Sequence, residues 1–395
     1  MKTILWINNL ATFSGGAEKY IHETATLLAR QGFSNMLMAG IERPWDYKFT
    51  SPFEKAFPLD STTLKTTVAA LKPDLIYVHN VADIETINAI AATGIPSVRF
   101  FHDHSPFCPR DHKYFAITNH TCTVPMGFHC FRCLGIVKTG TGITGLGIST
   151  AASKEKVLQA NRELTGFISG SQYMANLIVK HDFPAAATRA VPLFIVPPAV
   201  MPVVTRDDRK LVFAGTLVRG KGLDILIKAL ALLDPAVTLT VAGDGPQKDM
   251  FVECAAAAGV SERVTFTGWL SPDDLNMEIA TSAIMVIPSR EPETFCLTGL
   301  AAFAAGTPVI ASDVGGITEW LKDGETGLLY APPQDPAALA ATIRCLVGEP
   351  ELAGKFAENG LKSLTDKYTP QMHIQKLVSF FELMIKRHAE HRAKR

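Results

Sequence analysis

The chain has 395 residues, 38 of them basic and 38 acidic, so its formal net charge is zero. Balanced charge excludes the global field that draws a protein to nucleic acid, and a chain of this length exceeds one hydrophobic core, which predicts two domains of about 180 residues each. Hydrophobic residues make up 47%, enough to bury two sheets, yet no apolar run approaches a bilayer span of roughly 20 residues.

The N-terminus, MKTILWINNL, has one lysine and an apolar run that breaks at Asn8. It reads as a first strand and not as a signal peptide. A cytoplasmic location is expected, with the seven cysteines mostly reduced. At the other end, Lys386, Arg387, Arg392, Lys394 and Arg395, with His388 and His391, bias the tail towards positive charge. Such a tail is either solvated or weakly attracted to the anionic inner face of a membrane, as a peripheral contact.

Thr3–Ile7 is expected as a buried strand, followed by the loop Ser14-Gly15-Gly16 and a helix over 17–30 that Gly32 terminates. Asn35–Ala39 gives the next strand. Gly15 and Gly16 lie between strand and helix, where an anion commonly sits, although a tight turn also calls for glycine. Residues 41–60, with Pro44, Pro52 and Pro58, read as loop. A helix over 61–71, a strand over 75–79, a helix over 83–93 capped by Asp83, and a strand over 96–101 follow. Strands alternating with helices predict a parallel, doubly wound α/β sheet. His102-Asp103-His104 stands just beyond the last of these strands, where polar groups project into a ligand crevice. Either His102 or Asp103 acts on a substrate hydroxyl, or the loop histidine only bonds to backbone.

Residues 105–147 break this rhythm. Cys108, Cys122, Cys130 and Cys133 fall within 26 residues. They suit a structural zinc site, reduced thiols in an insertion, or disulfides in an oxidising setting. The Gly/Thr-rich stretch 138–149 reads as loop. A helix over 150–164, a strand over 166–169 and a helix over 173–181 complete the first domain, and the Pro-rich stretch 196–208 reads as a linker.

The second half repeats the pattern. Strand 210–214 runs into a glycine-containing loop, 215–222, and a helix whose Leu223, Leu226, Ile227 and Leu230 share one face. Strand 239–242 ends in the turn Gly243-Asp244-Gly245-Pro246, strand 264–267 ends at Gly268, and a helix covers 274–280. The stretch Pro288–Glu319 then places an acidic loop (Glu291, Pro292, Glu293), a helix start near Phe295–Thr298 and the pair Gly315-Gly316 at the carboxyl edge of a sheet. Free N–H groups at that helix start suit a phosphate or sugar oxygen; the alternative is a well-capped βαβ unit in which Glu293 only favours the helix dipole. A short strand over 327–330 and helices over 336–347, 351–365 and 370–388 close the chain. Two βαβ halves make the cleft between them the default site.

Six pieces recur in a characteristic order: Gly215…Lys221-Gly222, Val241-Ala-Gly-Asp-Gly-Pro246, Val264-Thr-Phe-Thr-Gly-Trp269, Glu293-Thr-Phe295, Gly306-Thr-Pro-Val309 and Gly315-Gly316…Glu319. With Ser14-Gly-Gly-Ala-Glu18 and His102-Asp103, the sequence resembles glycosyltransferase family 4 over nearly its whole length. The resemblance implies the GT-B fold: two Rossmann-like doubly wound domains facing a cleft. The expected division is 1–197, an acceptor domain with the Cys-rich insertion at about 105–147; 198–369, a nucleotide-sugar domain; and 370–395, a helix returning to the first domain. It implies retaining transfer from a UDP- or GDP-linked sugar to a glycan or lipid-linked acceptor, in cell-surface polysaccharide or glycolipid synthesis, with no cofactor for catalysis.

The same resemblance assigns roles. Its transition state, by analogy with glycoside cleavage, is oxocarbenium-like, with charge growing on the leaving diphosphate, which cations and aimed N–H groups stabilise. Lys221 matches the diphosphate lysine, and Gly15 and Gly16 match the loop that approaches the phosphates. Glu293 matches the first glutamate of an E-x7-E pattern that orients donor-sugar hydroxyls, and the backbone at Phe295, Cys296 and Leu297 cradles sugar or phosphate. His102 matches a first-domain histidine near the sugar C6 hydroxyl or the reacting centre. Gly215, Gly243, Asp244, Gly245 and Gly268 border the nucleotide.

Two positions depart from the pattern. The second glutamate is replaced by Ala301, and the arginine that often partners the lysine falls at Thr216, with Arg219 displaced by three residues. Ala301 keeps open a weakened relative that binds a nucleotide-sugar or scaffolds a partner, and a nucleotide-sugar epimerase on the same fold is a third reading. The cysteines also resemble a subset of the family that has Cys-Pro-Arg after His-Asp and a later Cys-x-x-Cys.

Overall fold

The computed structural model describes residues 1–115, 120–133, 137–139, 146–148, 150–196 and 204–393. Most of the expected linker, the expected domain boundary after residue 197, and Lys394 and Arg395 of the tail lie outside them. The chain divides into two compact units. One comprises Met1–Asp111, Val124–Pro192 and the C-terminal stretch from Pro370; the other comprises His112–Thr123 and Leu193–Thr369.

In the first unit the strands are β1 (Thr3–Asn8), β2 (Ser34–Ala39), β3 (Lys55–Pro58), β4 (Leu75–Val78), β5 (Ser97–Phe101), a short antiparallel pair β6 (Val137–Thr139) and β7 (Leu146–Ile148), β8 (Gly166–Ser169) and β9 (Thr188–Ala190). Seven of them form one parallel sheet in the order β3-β2-β1-β4-β5-β8-β9. The central strands read as continuous apolar runs because helices cover both faces of a parallel sheet; Ile4, Leu5, Trp6 and Ile7 are fully buried, as are Leu75–Val78. The strand order reverses between β1 and β4, and such a switch point opens a crevice beyond the carboxyl ends of its strands. The helix after β4, Ile84–Ala91, starts on Asp83, whose carboxylate accepts the Thr86 N–H at 2.7 Å.

The last helix, Pro370–Ala393, belongs to this unit, burying His373, Ile374, Leu377, Phe380, Phe381 and Met384. Its Phe381 ring meets Tyr77 edge-on at 4.8 Å. Gly166 makes room for Met384, whose sulfur and Cγ would lie 2.7 Å from a Cβ there.

The second unit repeats the arrangement with β10 (Asp207–Ala214), β11 (Thr238–Ala242), β12 (Val264–Gly268), β13 (Ser282–Ile287), β14 (Val309–Ser312) and β15 (Leu328–Tyr330), all parallel in the order β12-β11-β10-β13-β14-β15. Here the switch point falls between β10 and β13. One face carries Leu211, Phe213, Leu226, Leu230 and Phe251; the other carries Met285, Phe295, Phe303 and Trp320. Each unit is thus a Rossmann-like domain.

Several local expectations are corrected. Residues 41–60 are not all loop: they hold a one-turn helix, Tyr47–Thr50, and edge strand β3. Pro58 ends that strand, and an edge position tolerates the missing donor. The stretch 138–149 contributes to β6 and β7, so it is not simply loop. Segment His112–Thr123 joins the second unit and not the first. There the Thr121 hydroxyl donates to the Arg290 carbonyl at 3.0 Å. Among the described residues no helix is long and apolar enough to cross a membrane.

Candidate functional site

In the second unit the polar groups collect at the β10/β13 switch point. β13 ends at Ile287 and feeds the loop Pro288–Cys296, while the chain after β10 turns through Arg219–Lys221. Gly222 has a φ of +73°, and a Cβ on it would stand 1.8 Å from the Pro288 carbonyl oxygen. Only glycine lets the two loops touch there.

This contact delivers Lys221 into a carboxylate pair. Its ammonium is 2.9 and 3.0 Å from the two Glu293 oxygens and 2.8 Å from Glu291 Oε1. An ammonium has three protons to donate, so both carboxylates are served. Burial pulls the Lys221 ammonium down, but Glu291 and Glu293 outweigh it and hold the group charged well above the usual lysine range. The Ser289 hydroxyl donates to Glu293 Oε1 at 2.5 Å.

The frame around the cluster is equally constrained. Glu293 accepts the Gly316 N–H on its carbonyl at 2.7 Å. Gly315, at φ +59°, leaves space that a Cβ would take from that carbonyl, 2.4 Å away. Arg290, buried, forks onto Asp224 with two hydrogen bonds of 2.6 Å and donates to the Arg219 carbonyl at 2.7 Å. Both charges are therefore paired, and the loop bearing Arg219 and Lys221 is tied to the loop bearing Glu293.

Beyond Glu293, Phe295 is buried and its carbonyl accepts from Trp320 Nε1 at 2.6 Å. Cys296 sits at a φ of +76° as the N-cap of helix Leu297–Ala304, with no side chain capping the helix. Burial, then Glu293, pushes its thiol up to about 12, so it stays protonated. Leu297 opens the helix and Ala301 lies one turn in, part-buried. The turn glycines meet separately: the Gly243 N–H donates to the Gly268 carbonyl at 2.8 Å, Gly215 to Ala242 at 3.0 Å, and Leu217 to Asp244 at 2.9 Å. The Gly245 N–H donates to Asp244 Oδ1 at 2.7 Å. Arg219 has an exposed side chain, and its N–H donates to Gln247 Oε1.

The first unit brings a second group to its own switch point. Gly15 is fully extended and both Gly15 and Gly16 are exposed, with no atom within 3.4 Å of an added Cβ. Neither glycine is demanded by the turn. Ser14 beside them donates to buried Glu18 at 3.2 Å, and Asn80 donates to the other Glu18 oxygen at 3.3 Å. His102, part-buried, follows β5 and pairs its Nε2 with Nδ1 of His79 at 2.9 Å. Burial, then Arg99, pulls His102 down to about 3. It is a neutral imidazole across the physiological range.

Among the described residues Cys108, Cys122, Cys130 and Cys133 form no disulfide. Among the described residues no group of three or more His, Cys, Asp or Glu stands where it could hold a metal ion. Cys122 sits in the segment that joins the second unit, and Cys130 Sγ accepts the Gly127 N–H at 3.5 Å.

Sequence reasoning passed over Glu291 as a ligand of Lys221, and it passed over Arg290, Asp224, Ser289 and His79 altogether. Glu291 and Ser289 were within reach, being two and four residues before Glu293. The Arg290–Asp224 pair spans 66 residues, with no periodic signal to reveal it.

Residues 202–363 match the family described as "Glycosyl transferases group 1". The chain is 33% identical to glycogen synthase of Mycobacterium tuberculosis over 214 residues, which is 52% of this chain and 51% of that protein. It is 39% identical to D-inositol 3-phosphate glycosyltransferase of Nocardia farcinica over 147 residues, 35% of this chain and 32% of that one. The chain thus spans about half the length, or less, of these curated relatives. Among solved structures it is similar to Anabaena HepE in complex with UDP, with a TM-score of 0.70 at 18% identity over 97% of this chain and 100% of that one. It is also similar to sucrose-phosphate synthase from Thermosynechococcus elongatus, with a TM-score of 0.73 at 18% identity over 98% and 100%. The structural likeness shows the fold, GT-B, and the sequence matches support the wider glycosyltransferase superfamily.

Proposed function

We propose that the protein transfers a sugar, with retention of configuration, from a UDP- or GDP-linked donor to a glycan or lipid-linked acceptor. The observation that carries this reading is the Lys221–Glu293 contact at the switch point of the second unit, inside the matched residues 202–363. Lys221 would meet the donor diphosphate, which must draw the ammonium away from at least one carboxylate. Glu291, two residues from Glu293 and without a role in the E-x7-E pattern, is the carboxylate that yields. Glu293 then keeps an oxygen for donor-sugar hydroxyls. Charge growing on the departing phosphate meets a lysine held cationic, together with the N–H groups that open helix Leu297–Ala304. Gly15 and Gly16, exposed and uncrowded, would let backbone N–H groups approach the phosphates.

HepE, whose structure contains UDP, supports a uridine nucleotide as the first donor to try. Ala301 supplies no carboxylate for the ribose, so the donor is held more weakly than by a complete E-x7-E pair. Synthesis of a cell-surface polysaccharide or glycolipid at the inner face of a membrane is the setting we infer, with the basic tail as the peripheral contact. The test is a panel of UDP- and GDP-sugars assayed for nucleotide release with and without glycan and polyprenyl-phosphate sugar acceptors. Release that depends on donor, acceptor and Lys221 supports the reading; no turnover and no binding of any donor refutes it.

A further inference from the structure

His79 follows β4 as His102 follows β5, and these neighbouring strands pair Val78 with Arg99. The two imidazoles therefore emerge side by side at one sheet edge. His79 has no exposed surface. Trp6 stacks on its ring at 5.3 Å with 9° between planes, Tyr77 meets it edge-on at 4.3 Å, and Phe100 lies 6.2 Å away. Within this aromatic box its only ring hydrogen bond runs from Nδ1 to Nε2 of His102, 2.9 Å away, and its own Nε2 has no partner among the described residues.

One proton lies between the two facing nitrogens, because both rings are neutral: burial lowers each, helped by Arg99. If His102 supplied it, His79 would carry its single N–H on Nε2, an orphaned donor inside apolar rings. If His79 supplies it, the orphan is a lone pair. Buried N–H groups without partners are the rarer and costlier case, so the second arrangement is favoured. It leaves His102 with its single N–H on Nδ1, the nitrogen still able to meet a ligand.

We propose that His79 is a positioning residue, hydrogen-bonded through Nδ1 to His102 so that His102 is held as the Nδ1–H tautomer and presents a hydrogen-bond donor to a sugar or phosphate oxygen. The hydrogen bond made by one ring nitrogen decides what the other can do. The role rests on the transferase reading, since His102 is the first-domain histidine expected near the sugar; the tautomer itself does not.

The test is long-range proton–nitrogen correlation on chain labelled with 15N-histidine, with His102 assigned by the signals lost in His102→Asn. It is repeated on His79→Phe and on His79→Asn, whose side-chain amide reaches the position of Nδ1. His102 is expected as the Nδ1–H form in the native chain and in His79→Asn, and as a mixture in His79→Phe. Donor turnover should fall by at least about tenfold in kcat with little change in KM for His79→Phe, and recover in His79→Asn. An Nε2–H tautomer of His102 in the native chain overturns the proposal. So does a His79→Phe variant, folded by near-UV circular dichroism, with unchanged tautomer and kcat. Should no donor turn over in any variant, the transferase reading fails while the tautomer measurement still decides the role of His79.

Discussion

Lys221 gives all three of its ammonium protons to two carboxylates, Glu293 at 2.9 and 3.0 Å and Glu291 at 2.8 Å. The cluster is therefore over-supplied with negative charge, and the lysine is its counter-ion. Lys221→Ala should abolish transfer. Because it leaves two poorly solvated carboxylates facing each other, it should also lower stability by about 3 kcal/mol, read as a shift of the chemical-denaturation midpoint. Glu293→Ala should abolish transfer at a smaller stability cost, since Glu291 still pairs the lysine. Equal stability of both variants and native chain would mean that the cluster is not the ion triad described.

Glu291 gives a sharper test. If it is the carboxylate that yields Lys221 to the donor, Glu291→Gln removes a competitor and leaves a hydrogen-bond acceptor in place. Nucleotide should then bind several-fold more tightly by titration calorimetry, whereas a Glu291 that itself contacts the donor would weaken binding when replaced.

Ala301 lies one turn into the helix that opens at Leu297. A carboxylate restored there should gain a charge-assisted hydrogen bond worth about 1.5–3 kcal/mol, or roughly ten- to hundredfold in nucleotide affinity. Ala301→Glu is therefore expected to bind UDP or GDP more tightly. Unchanged affinity would show that another group already serves the ribose.

Acid should weaken the first unit before carboxylates titrate. His79, His102 and His373 are all held neutral by burial, His373 at about 4 and His102 at about 3. In the unfolded chain each titrates near about 6.5. A base whose folded value is depressed favours the unfolded state once pH falls below the unfolded value. Stability should thus fall from about pH 7 towards pH 4, and His373→Asn should make that slope shallower by one proton. A denaturation midpoint independent of pH over this range would contradict the burial of these rings.

The architecture was legible wherever burial on both faces leaves a continuous apolar run, as in Thr3–Asn8 or Leu75–Val78. It was not legible at β3 and β9, short edge strands flanked by prolines or turns, nor at helix Lys248–Ala257, where only Phe251 and Ala255 are buried and the apolar stripe is faint. At the site, Lys221 and Glu293 could be paired only through the family resemblance, because 72 residues separate them. The Arg290–Asp224 fork and the His79–His102 pair had no such signal. They arise where neighbouring strands of a parallel sheet bring distant loops to the same edge, a relation that spacing along one strand does not encode.

The most direct measurement follows a UDP-sugar panel on the native chain, Lys221→Ala and Ala301→Glu, with proton NMR reading the anomeric configuration of the product. The account predicts a product with the donor's configuration from the native chain, more of it at limiting donor from Ala301→Glu, and none from Lys221→Ala. A product of inverted configuration, or turnover that survives the loss of Lys221, would contradict it.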